Sequence, residues 1–308
     1  MTEKTPTPAL SFSGANSGPL LSRWKTYLME RSPPAPLLFI CAGVSLAPMA
    51  LLQEVNWGML ATGVAGTFGL LVQMRLGDEL KDHEKDKIVH PERPLPRGLL
   101  SLKEVHTGMS LLMGSLMALA ALSAALYSPL GGSLLALSVI YVWLMYKEFF
   151  IGKSLSREPM LYAWSHQLIV FPLYGWIGGL YGPEVFCNPE FVCWMIYNFG
   201  ASMTFEICRK LDPKSHKLQE TYLHHYGPGL VSVIIAFFVF VSIFAGIRAE
   251  HQNYLLPVQL PLLLSLVLIK VKPEKFKVIE GLAILSATIH IWMPTLRWIK
   301  FHFTGVTQ

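Results

Sequence analysis

Apolar runs of about 20 residues recur nine times along this chain, separated by polar connections. They cover Ala35–Leu52, Trp57–Leu76, Val105–Tyr127, Leu130–Tyr146, Met160–Tyr181, Phe191–Ile207, Leu230–Ile247, Tyr254–Leu268 and Val278–Trp298. A helix of about 20 apolar residues spans the ~30 Å hydrocarbon core of a bilayer. Inside lipid, every backbone polar group must be bonded within the protein. The pattern therefore predicts an all-α, polytopic membrane protein of about nine transmembrane helices bundled around a central cavity. Residues 1–33 are polar and rich in Pro, Ser and Gly, without the charged start and early apolar core of a cleaved signal peptide. They are expected to form a disordered cytoplasmic tail, with Trp24–Met29 as an interfacial anchor. A single transmembrane domain over 34–308 follows.

Composition strengthens the membrane reading. Of 308 residues, 52% are hydrophobic and only 15% charged, where soluble domains carry about a quarter. Mean hydropathy is +0.43. Of the 25 Lys and Arg, all but Arg248, Arg297 and Lys300 lie before the first run or in and around alternate connections after it, Arg75 at the end of the second run among them. This asymmetry predicts that the N-terminus and those connections are cytoplasmic. It also accounts for the net charge of +5 without a nucleic-acid partner. Cys41, Cys187, Cys193 and Cys208 show neither C-x-x-C spacing nor a Cys/His cluster, which argues against zinc and a disulfide framework.

Candidate chemistry concentrates after the second run, in Arg75-Leu76-Gly77-Asp78-Glu79-Leu80-Lys81-Asp82-His83-Glu84-Lys85-Asp86. Asp78, Asp82 and Asp86 recur every four residues, and Glu79 lies three before Asp82. On a helix such neighbours share a face. Like charges at that spacing repel, and negative charge near a helix C-terminus opposes the dipole. A divalent cation removes both penalties. Hard oxygen ligands suit Mg²⁺, which usually joins one or two carboxylates to substrate phosphates. The same residues also read as a solvated loop paired with Lys81 and Lys85. The next segment, His90-Pro91-Glu92-Arg93-Pro94-Leu95-Pro96-Arg97-Gly98, carries three prolines in six residues and is excluded from helix. Arg93 and Arg97 there offer guanidinium forks to phosphate or to anionic lipid headgroups.

Together these segments resemble the first motif of the UbiA superfamily of intramembrane prenyltransferases, N-D-x-x-D-x-x-x-D followed by R-P-L-x-x-G. Asp78-Glu79-x-x-Asp82-x-x-x-Asp86 matches in register, with Asp78 in place of the Asn and Glu79 in place of the first Asp. Arg93-Pro94-Leu95-Pro96-Arg97-Gly98 matches the second part. The long polar connections share one face, which suggests a pocket opening to the cytoplasm; the resemblance implies nine helices and Mg²⁺ held by Asp78, Glu79, Asp82 and Asp86. It also implies a second acidic motif in the connection Phe205–Pro213, for another Mg²⁺ on the same diphosphate. That motif is degenerate here. Glu206 and Asp212 are the available ligands, with Glu220 further on, and Glu206 can equally pair with Arg209 or Lys210. The diphosphate contacts implied are Arg75, Arg93, Arg97, Lys153, Arg157, Arg209 and Lys210. Family members carry a Tyr and a Lys-Arg pair after the fourth helix; Tyr146, Lys153 and Arg157 stand there in altered register.

Glu148, Tyr162, His166 and Asn198 join Tyr146 as cavity or acceptor candidates. Buried polar groups need partners, and helix–helix hydrogen bonding explains an Asn as readily. His166 could position an acceptor or take a proton. Aromatic residues from Trp143 to Trp176 line either a carbocation site or the membrane interface. The resemblance implies a Mg²⁺-dependent enzyme that ionises an isoprenyl diphosphate and passes the prenyl group to an aromatic or lipophilic acceptor. The alternative is a terpene cyclase of the same superfamily, acting without an acceptor. A non-enzymatic transporter is a third reading, against which stand the lack of an internal repeat and the gathering of both acidic connections on one face.

Overall fold

Prolines and small polar residues set where the helices begin. Pro34, Pro129, Pro159 and Pro189 each occupy a first helical position, where a missing N–H costs nothing. Side chains of Asn56, Ser101, Ser128, Asn188 and Thr221 accept from orphan N–H groups one turn on. In this computed structural model residues 18–215 and 221–304 are described. They form α1 (Leu20–Arg31), α2 (Pro34–Leu52), α3 (Trp57–Lys81), α4 (His83–Val89), α5 (Leu102–Leu126) and α6 (Pro129–Tyr146). There follow α7 (Pro159–Gln167), α8 (Val170–Gly179), α9 (Pro189–Cys208), α10 (Tyr222–Arg248), α11 (Gln252–Ser265) and α12 (Phe276–Thr304). No strand occurs among the described residues.

Seven helical stretches among the described residues are long and apolar enough to cross a membrane. Each of the nine expected runs is helical, but two do not reach that standard. The fifth divides into α7 and α8. Pro172, in the first turn of α8, cannot donate to the carbonyl four residues back and its ring crowds that carbonyl. The sixth, α9, is not among the seven; it carries Asn198 and Glu206.

The second run extends further than expected. Its 25-residue helix, α3, is about 38 Å long at 1.5 Å per residue. That exceeds the ~30 Å core, and its C-terminal end, from Arg75 to Lys81, carries the charges of the helix. Neighbouring helices close into a ring: α2 lies on α3 and α12, α3 on α5 and α6, α6 on α8, α9 on α10 and α12, and α11 on α10 and α12. Trp176, Trp194, Tyr197 and Phe191 are fully buried in the core of α8 and α9. At Gly131 the backbones of α6 and the end of α8 meet directly. A Cβ there would lie 2.8 Å from Leu180 N and 2.9 Å from Gly179 C.

Part of the expected N-terminal tail is ordered. Residues 1–17 lie outside the described residues, but α1 lies against α3 and α5, and its Tyr27 is wholly buried with Val72, Leu76, Leu95, Leu100, Val105 and Met109. Trp24 fills the space that a side chain at Gly108 would need. Three ion pairs fasten the helix: Arg23 to Glu104 at 2.6 Å, Glu30 to Arg97 at 2.8 Å, and Arg31 to Glu79. The hydrogen bond from Arg97 holds the Glu30 carboxyl below the usual carboxylate range.

Candidate active site

The four carboxylates of the first motif fall into two kinds. Glu79 is 1% exposed and accepts from Arg31 Nε. Asp86 is buried in α4, and both its oxygens accept from Arg93 Nη1 at 2.7 Å. These pairs hold α1 and the Pro-rich loop against the motif. Asp78 is half exposed, with Lys81 Nζ at 3.4 Å and Arg75 Nη1 at 4.0 Å. Asp82 makes no side-chain hydrogen bond or ion pair among the described residues, and burial pushes its carboxyl above the ordinary aspartate value. Spacing alone had put all four on one face. At about 100° per residue, Glu79 turns away from Asp78 towards α1, where Arg31 takes it, and the helix ends at Asp82, so Asp86 belongs to another element. No group of three or more His, Cys, Asp or Glu is gathered to hold a metal among the described residues.

Opposite Asp78 lies a cationic cluster built from three helices. Lys81 Nζ, at the end of α3, donates to the Tyr162 hydroxyl of α7 at 2.7 Å and sits 5.4 Å from that ring's centroid. Lys210 Nζ, just beyond α9, lies 5.7 Å from the same centroid and 5.5 Å from that of Tyr222. Glu206, in the last turn of α9, accepts from Lys210 Nζ at 2.8 Å and from Arg209 Nε at 2.6 Å.

Tyr162 stacks on His166, with centroids 4.0 Å apart and planes at 17°. His166 Nδ1 lies 2.8 Å from the Tyr162 carbonyl oxygen. A carbonyl only accepts, so Nδ1 carries the proton and Nε2 is left as the acceptor. That Nε2 is buried without a hydrogen-bond partner among the described residues. Phe149 stands edge-on to His166 and to Tyr141, at 5.8 and 5.4 Å. It belongs to a turn in which Glu148, Phe149 and Phe150 have φ of 48°, 52° and 60°. Such left-handed residues cost on the order of 1–3 kcal/mol each, so the packing of Phe149 opposes a real backbone cost. Trp164, on α7, meets Phe199 and Phe238 at 5.4 and 5.9 Å.

Other expected site residues lie elsewhere. Asp212 Oδ1 accepts from Lys214 N at 2.8 Å in an exposed turn, and Glu220 is outside the described residues. Arg97 is bound to Glu30, while Lys153 and Arg157 are exposed on the surface. Tyr146 backs Gly77 and has Lys147 Nζ 4.4 Å over its ring. Asn198 donates to the Trp194 and His290 carbonyls at 2.8 and 3.4 Å, joining α9 to α12. Lys81, Arg31 and Tyr222 were not among the expected site residues. Lys81 shows in the sequence only as a charge three residues from Asp78.

A ring of helices, seven of them long and apolar enough to cross a membrane, with a charged cluster at one end and aromatic side chains beside it, marks an integral membrane protein. The UbiA prenyltransferase family matches residues 37–273, and the chain belongs to that family as a prenyltransferase. It is also similar to a solved structure of digeranylgeranylglyceryl phosphate synthase in membranes. The TM-score is 0.61 at 14% identity, over 88% of this chain and 99% of that one; at this identity the likeness is one of fold. No curated protein matches the chain.

Proposed function

We propose that the protein ionises an isoprenyl diphosphate and transfers the prenyl group to an aromatic or lipophilic acceptor, with Mg²⁺ as cofactor and the site facing the cytoplasm. The observation that carries this reading is the convergence of Lys81, beside Asp78, and Lys210, paired with Arg209 on Glu206, at the ring of Tyr162, next to the Tyr162–His166 stack. Ammonium and guanidinium donors suit diphosphate oxygens. The apolar interior suits the prenyl tail. The strong bias of Lys and Arg supports the cytoplasmic orientation.

Mg²⁺ fits Asp78 and Asp82. They stand one helical turn apart, one carboxylate half open and the other without a side-chain partner among the described residues. That donor set matches a cation that keeps its remaining positions for water and phosphate oxygens. Bound there, the ion would neutralise charge on the departing diphosphate. Glu79 and Asp86, engaged by Arg31 and Arg93, hold the motif in place instead. Lys81, Arg209 and Lys210 bind the diphosphate and keep it oriented. The face of Trp164 stabilises the allylic cation, and the Trp164–Phe199–Phe238 packing excludes water that would quench it. His166 Nε2 accepts the proton that the acceptor loses as the new bond forms.

Purified protein in detergent with Mg²⁺ tests this. Ten-, fifteen- and twenty-carbon prenyl diphosphates are supplied with and without aromatic and lipid acceptors, and diphosphate release and organic products are followed. Release that depends on an acceptor is expected. A cyclic terpene formed without one would identify a cyclase, and no release from folded protein would overturn the reading.

A further inference from the structure

Glu206 is 6% exposed, and both its oxygens are taken. Oε1 accepts from Lys210 at 2.8 Å; Oε2 accepts from Arg209 Nε at 2.6 Å and Nη2 at 2.5 Å. Asp212 caps its own turn. Among the described residues, Glu206 therefore offers no free oxygen to a metal, and Asp212, in its exposed turn, has only Oδ2 without a hydrogen-bond partner, a donor set that does not suit a second Mg²⁺. It does present cations. Arg209 is 45% and Lys210 28% exposed, so each touches Glu206 on one side only. Arg209 Nη1 has no hydrogen-bond partner among the described residues. The Lys210 ammonium is steered by the rings of Tyr162 and Tyr222, which it faces at 5.7 and 5.5 Å.

We propose that Arg209 and Lys210, clamped on Glu206, take the part of a second metal ion, so that the diphosphate is held between one divalent cation on Asp78 and Asp82 and this fixed cationic pair. The inference rests on the prenyl diphosphate reading above. The electrostatics are equivalent. One carboxylate with two side-chain cations carries a single net positive charge, as does one carboxylate with one Mg²⁺. Hydrogen bonds from ionised donors to phosphate are short and strong. Unlike a metal, the pair is in place before substrate arrives, because Glu206 and the two tyrosines already position it. Lys81, beside the same Tyr162 ring, extends the same cationic wall.

Counting bound Mn²⁺ by electron paramagnetic resonance tests this, in full-length protein in detergent saturated with inorganic diphosphate. One ion per chain is expected. Two would overturn the proposal and leave the prenyltransferase reading standing; none would overturn the proposal together with the metal assignment to Asp78 and Asp82. In parallel, Lys210→Met should weaken diphosphate binding by about tenfold in calorimetric titration at saturating Mn²⁺. The ion count should not change, and Lys210→Arg should restore the affinity. Unchanged affinity in a Lys210→Met protein with the parent unfolding temperature would equally overturn it.

Discussion

Asp78 and Asp82 differ from Glu79 and Asp86 in what answers them. Arg31 and Arg93 satisfy the second pair, while the first pair faces Lys81 and the gap beside Tyr162. Replacement should separate the two kinds. Asp82→Ala is expected to lower prenyl transfer on the order of 100-fold, with the unfolding temperature held or raised, because burial already disfavours that carboxylate. Arg31→Met strands Glu79 as a buried, unanswered charge. It should cost about 3 kcal/mol of stability, read as a lower unfolding temperature in detergent. Equal effects of the two substitutions on stability would remove the distinction. The sequence carried the four-residue spacing but not the turn at Asp82, nor a partner for Glu79 lying 48 positions away. Likewise His166 was legible as a polar residue in an apolar run. Its unpartnered Nε2 depends on the carbonyl that claims Nδ1, which no spacing reveals.

At the scale of helices, boundaries were legible wherever local chemistry fixes them. Asn56, Ser128 and Asn188 cap helices, and each stands where an apolar run begins. The helix α1 was missed because its own pattern is short and leaves Leu20, Leu21 and Met29 exposed; its order comes from Tyr27, Trp24 and ion-pair partners far along the chain. The break between α7 and α8 was marked by Pro172, inside a run whose length argued for one helix. Packing between helices was not legible at all, and Gly131 shows why. What lies opposite it is backbone, which cannot rotate away. Gly131→Ala should cost about 1–3 kcal/mol. Gly281→Ala, in α12 with open space around it, should stabilise by up to about 1 kcal/mol. Thermal unfolding of both in detergent checks the contrast.

Across the whole molecule, the site and the loop that carries Cys187 lie at opposite ends of the bundle. The site gathers at the ends of α3 and α9, whereas Cys187 is exposed in the connection before α9 begins. The proposed orientation therefore makes Cys187 extracytoplasmic. In a protein retaining that cysteine alone, a membrane-impermeant maleimide should label intact cells; labelling only after permeabilisation would invert the topology. The three ion pairs of α1 also impose a timetable on synthesis. Its anchors Glu79, Arg97 and Glu104 are made 48, 67 and 81 residues after their partners. At ~5–20 residues per second, the longest of these intervals is about 4–16 s. Arg31 can brace the motif once Glu79 is made, whereas the last of the three anchors of α1 forms only when Glu104, at the start of α5, has been translated.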